Sequence, residues 1–134
     1  MKNFKFWIKL CVFNFFIVST IGVMMRYNIA FSSLWLNHTF MQESHSHFAF
    51  YGWVSACIYL FITNYLHQFS RKINLKKYQI LMIFNQIGCY GMLITFLFYG
   101  YNWMSIIFSS IALFTSFAYF IFLLIDTKSS ENPE

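Results

Sequence analysis

The run HSHFAFYGWVSACIYLFITNYL, residues 45–66, decides the fold. It holds no Asp, Glu, Lys or Arg, and its length matches the roughly 20 apolar residues that a helix needs to cross a hydrocarbon core. Two of the four histidines, His45 and His47, stand at its opening, where a polar segment gives way to the apolar one. A helix is the expected conformation, because a lipid-embedded segment must pair its own backbone groups.

The rest of the chain agrees. Of its 134 residues, 59% are hydrophobic, 24% aromatic and only 10% charged, whereas soluble domains carry about 25% charged residues. That deficit implies an integral membrane protein, and the length allows a single domain over 1–134. The lone proline, Pro133, lies outside every apolar run. The formal net charge is +5. Its lysines and arginines flank apolar runs, so they speak to membrane orientation rather than to nucleic acid. Cys11, Cys57 and Cys89 each lie within an apolar run and form no CxxC pair, which implies small buried hydrophobes in the thiol form.

Four spans follow, at about 6–25, 45–66, 80–100 and 104–125, giving an all-α four-helix transmembrane domain. The first follows a basic start (Lys2, Lys5, Lys9). It reads as uncleaved, since it is long for a signal sequence and no A-x-A-like site follows. The longest loop, 26–44, has room for a short interfacial helix presenting Phe31, Leu34, Trp35 and Leu36. A basic turn covers 67–77, an uncharged turn 101–103, and a frayed polar tail 126–134. Lys2, Lys5, Lys9, Arg71, Lys72, Lys76 and Lys77 are seven of the nine basic residues, and all lie at the amino end or in the second loop. Positive-inside logic then puts both termini in the cytoplasm and His38, His45 and His47 on the outer side of a bacterial inner membrane.

Intramembrane polar groups are functional candidates by default. At about 100° per residue, positions two apart on a helix differ by about 200°, so His45 and His47 point to opposite flanks and serve two sites rather than one ion. Below His45 come Ala49, Gly52 and Ala56, all small. That strip either makes room for a porphyrin along the helix or lets another helix approach closely. The other flank, with Phe50, Tyr51, Val54 and Ile58, either walls an apolar pocket or meets lipid. Haem iron accepts neutral histidine as an axial ligand, and Arg26, Trp35, Asn37 and Asn102 lie on the correct side to meet propionates. His38 is placed in the loop; on a continuous helix it would share the His45 face about 10.5 Å away. A non-haem copper or zinc site from His38, His45 and His47 is the alternative ligand reading, and a structural or assembly subunit is the third. His67 reads as a solvated headgroup neighbour. Asn85 and Gln86 read as helix-joining amides, and Glu43 as a helix N-terminal charge or an imidazole orienter. Nucleophile triads, phosphate loops and paired intramembrane carboxylates are absent.

With these residues in view, His45-Ser46-His47-Phe-x-Phe-x-Gly-Trp at the outer end of a span resembles the haem-ligating segments of haem–copper oxidase subunit I and the related nitric oxide reductases. The likeness covers about ten residues and the four-helix topology. It implies that His45 and His47 are each axial ligands of a b-type haem, on opposite flanks. The family's catalytic subunit is a pseudo-threefold set of four-span units, so the resemblance implies a homotrimer of this chain, with a redox partner protein, in electron transfer or in O2 or NO chemistry or sensing. The family's copper histidines come from a separate helix. No other span here carries a histidine near its outer end, which puts copper and terminal reduction in doubt and leaves the chain's status as an oxidoreductase open.

Overall fold

A computed structural model describes residues 4–31, 36–69 and 73–131. The order is α1 (Phe4–Phe31), α2 (His38–His47), a π-helical stretch (Phe48–Val54), α3 (Ser55–Phe69), α4 (Leu75–Tyr99) and α5 (Trp103–Glu131). The second, third and fourth of these run end to end, so His38–Gln68 is one rod of 31 residues. Among the described residues, four rods are long and apolar enough to cross a membrane: Phe4–Phe31, His38–Gln68, Leu75–Tyr99 and Trp103–Lys128.

The rods overrun the hydropathy boundaries, because caps rather than polarity end a helix. α1 continues past Arg26, and α2 begins seven residues before His45. The loop expected over 26–44 therefore contracts to the segment between Phe31 and His38, and Phe31 belongs to α1 rather than to a separate interfacial helix. Asn37 starts α2 by accepting the Thr39 amide proton at 2.9 Å. His38 is thus the first residue of a helix and not a loop residue. Asn74 caps α4 in the same way through the Lys76 amide. α4 stops at Gly100, whose φ of 61° lies in the left-handed region. There Phe40 covers the backbone so closely that an added Cβ would sit 2.3 Å from its ring. The segment from Asp126 is not frayed as far as Glu131. Asp126 accepts from Lys77 Nζ at 2.7 Å and from Tyr78 Oη at 2.6 Å, which holds the end of α5 to α4. Leu34, Trp35, Arg71 and Lys72 lie outside the described residues.

α4 is the central rod: 44% of its most apolar stretch is buried, against 17% for α5. It packs on α2, the π stretch, α3 and α5. The α4–α5 approach needs Gly88, where a Cβ would lie 3.1 Å from both Ala112 N and Phe108 O. One core cluster, near the chain ends, contains Trp7, Tyr59, Leu60, Tyr78, Met82 and Tyr119. The other, near the histidines, contains Val18, Phe48, Cys89, Met92, Phe96 and Ala112. Outside, large apolar side chains such as Phe16, Val23 and Phe114 stand exposed on the rods. A soluble monomer rarely shows so much contiguous apolar surface; in a bilayer it meets lipid. Cys11 and Cys89 are buried and Cys57 half-buried, all three as free thiols.

Candidate functional site

α2 turns a core-facing ridge toward α4. Ser44 and Phe48 are fully buried, and Ser44 Oγ donates to Leu93 O at 2.8 Å. His45 and His47 flank this ridge and diverge from it, as positions two apart must on a helix. His45 opens on a cleft of about 680 Å3 between α1 and α2, lined also by Ser19, Gly22, Arg26, His38 and Gln42. His47 opens on a separate cleft of about 250 Å3 with Tyr51, Phe96, Tyr101 and Ser109.

The two sides differ in how far the protein satisfies them. The His47 ring lies flat on Phe96, with centroids 4.6 Å apart and planes within 6°, and Tyr51 continues the stack at 6.4 Å. Its Nε2 is 3.7 Å from Glu43 Oε2, and the same carboxylate oxygen accepts from Tyr101 Oη at 3.2 Å. Glu43 therefore stands beside an imidazole, in line with the second of its two sequence readings. Desolvation, and then the adjacent Glu43 carboxylate, raise the Tyr101 phenol above its ordinary range.

On the other side, the Nδ1 atoms of His38 and His45 are buried with no hydrogen-bond partner. Such atoms are uncommon in folded proteins and call for a ligand, a water or an ion. Arg26 is exposed at the same cleft and pairs with no carboxylate among the described residues. Gly22 makes the packing possible: a Cβ there would lie 3.3 Å from His45 Cε1. An orphaned imidazole, an unpaired guanidinium and a volume within the roughly 300–1,000 Å3 range of cofactor sites fit a group that is at once metal-bearing and anionic, as a haem with propionates is. His47's cleft lies below that range.

Other parts of the sequence reading change. Among the described residues no group of three or more His, Cys, Asp or Glu converges to hold a metal ion, so His38, His45 and His47 do not form one non-haem site; His47 faces away. The strip of Ala49, Gly52 and Ala56 is not an open porphyrin bed. Ala56 is 3% exposed beside Trp7 and Cys11, Ala49 packs on the second core cluster, and Gly52 is buried. Helix approach is the use the structure makes of it. Asn37, expected near propionates, caps α2, and Asn102, expected there too, accepts the Trp103 amide proton through Oδ1 at 2.6 Å at the start of α5. Trp35 lies outside the described residues. His67 sits near the far end of α3.

The π stretch directly below the histidines is the feature the sequence did not announce. A π turn breaks the regular α hydrogen-bond ladder and often marks a functional site. Here three amides take up its carbonyls. Asn14 Nδ2 donates to Gly52 O at 2.6 Å and to Gln86 Oε1 at 2.9 Å, Gln86 Nε2 donates to Gly52 O at 3.3 Å, and Asn85 Nδ2 donates to Tyr51 O at 2.9 Å. Tyr90 Oη completes the clamp by donating to Asn14 Oδ1 at 2.6 Å. Asn85 and Gln86 are thus helix-joining amides, as their type suggested, and Asn14 is the third, identifiable by the same rule. Gly22 and Ser19 carried no signal.

The chain matches no protein-family model, no curated protein and no solved structure.

Proposed function

We propose that this chain is a haem-binding subunit of a bacterial cytoplasmic membrane, resembling a minimal haem–copper oxidase unit and working in electron transfer or small-gas chemistry. The observation that carries the proposal is His45 in its cleft: a buried Nδ1 without a partner, beside an unpaired Arg26. His45 is the proposed axial ligand. Arg26, with His38 and Gln42, would meet the propionates. The haem would be held without covalent attachment, since the sequence has no C-x-x-C-H run. Bound haem supplies a one-electron couple, and the residues around it set solvent access and the charge at its edge. Basic residues at the amino end and in the second loop support cytoplasmic termini and an outward-facing cleft.

His47 is the second candidate ligand. Its own cleft is too small within one chain, so haem binding there requires a wall from another copy. The homotrimer implied by the oxidase resemblance would provide one. The stacking of His47 on Phe96 and its contact with Glu43 favour a second reading, in which that imidazole only joins helices and the chain is a structural or assembly subunit. The test is the reduced-minus-oxidised visible spectrum, with haem stoichiometry, of detergent-purified protein made with ample haem supply. About one haem per chain with a b-type α-band supports the first reading; a colourless, folded protein supports the second.

A further inference from the structure

A groove of about 510 Å3 runs between α1 and α5, with α4 as its floor. Its α4 lining extends from Ile83 to Ile94, a rise of about 16 Å at 1.5 Å per residue, which is close to half of a roughly 30 Å hydrocarbon core. Phe6 and Trp7 form one wall and Phe108 closes the other. Two polar side chains, Gln86 and Tyr90, touch the groove, but their polar atoms are engaged with Asn14 and Gly52. The floor therefore offers hydrocarbon contact and little to hydrogen-bond a polar ring.

A basic residue stands on α4 beyond the near end of the groove's lining. Lys76, Ile83, Ile87 and Ile94 are spaced seven, four and seven residues apart, which places them on one face of α4. Lys76 is exposed and has no ion-pair partner among the described residues. Its neighbour Lys77 differs, being bound to Asp126 at 2.7 Å. An unpaired ammonium about 10 Å along the helix from the near end of an apolar slot complements a molecule with an anionic head and a long apolar tail.

We infer that the α1–α4–α5 groove is a binding site for one anionic phospholipid, with an acyl chain along Ile83, Ile87 and Ile94 and its phosphate at Lys76. The site is independent of the haem cleft, so it stands whether or not haem binds.

The test is native mass spectrometry of the full chain released from nanodiscs of equal phosphatidylglycerol and phosphatidylcholine. About one phosphatidylglycerol per chain is expected to survive activation in preference to phosphatidylcholine. Lys76→Gln should cut that preference about fivefold, the equivalent of roughly 1 kcal/mol for one basic residue at a lipid surface. Ile87→Trp, which fills the groove from an exposed position, should remove the retained lipid with helix content by circular dichroism unchanged. Equal retention of both lipids, or retention unchanged in both variants, would overturn the proposal. So would an Ile87→Cys chain that forms a disulfide dimer in the membrane and retains no lipid, since a second copy would then occupy the groove.

Discussion

Replacing Asn14 with Leu isolates the amide clamp on the π stretch. Leucine keeps the branched heavy-atom skeleton and has a better helix propensity, so the change acts mainly through hydrogen bonds. It deletes three: to Gly52 O, to Gln86 Oε1 and from Tyr90 Oη. Of its side-chain donors, Gly52 O keeps only Gln86, at 3.3 Å. Hydrogen bonds between membrane helices average about 0.6 kcal/mol each, with a maximum near 1.7. Three of them give about 2 kcal/mol, and the stranded Gln86 and Tyr90 oxygens raise this toward 3. The unfolding equilibrium should shift by about 30- to 150-fold. Reversible unfolding with increasing SDS in mixed micelles, followed by far-ultraviolet circular dichroism, measures this directly. Thr20→Val is the control, because Thr20 Oγ1 bonds only its own helix at Phe16 O; it should cost less than about 0.5 kcal/mol. An Asn14→Leu protein as stable as that control would refute the clamp.

Gly22→Val should crowd the His45 ring, since even a Cβ would stand 3.3 Å from it. Haem per chain should fall severalfold while membrane insertion, assayed by fractionation, is unchanged. Asp126→Asn should cost about 1–2 kcal/mol in the SDS titration by weakening charge-assisted bonds from Lys77 and Tyr78, and should open the far end of α5 to proteolysis. Glu43→Gln removes the carboxylate beside Tyr101, so the Tyr101 phenol should titrate at lower pH in an absorbance titration.

The four spans were legible because charge is so scarce and so placed that only membrane crossing explains it. Their ends were less so: Asn37, Asn74 and Asp126 extend or start helices through side-chain bonds whose partners lie across a turn or on another rod. The divergence of His45 and His47 followed from helical geometry alone. What each would meet did not, because the Phe96 stack and the Gly22 contact join residues far apart in sequence. The π stretch was hidden for the same reason. Phe48–Val54 reads locally as ordinary helix, and the amides that take up its carbonyls sit on α1 and α4.

The most direct test compares His45→Ala with His47→Ala in a reduced-minus-oxidised spectrum, each chain verified as inserted and helical. Loss of most haem in His45→Ala, with a smaller loss in His47→Ala, is expected because the buried Nδ1 of His45 has no partner while His47 is stacked on Phe96 beside Glu43. Wild-type protein that stays colourless under ample haem supply, or a His45→Ala protein with full haem content, would contradict it.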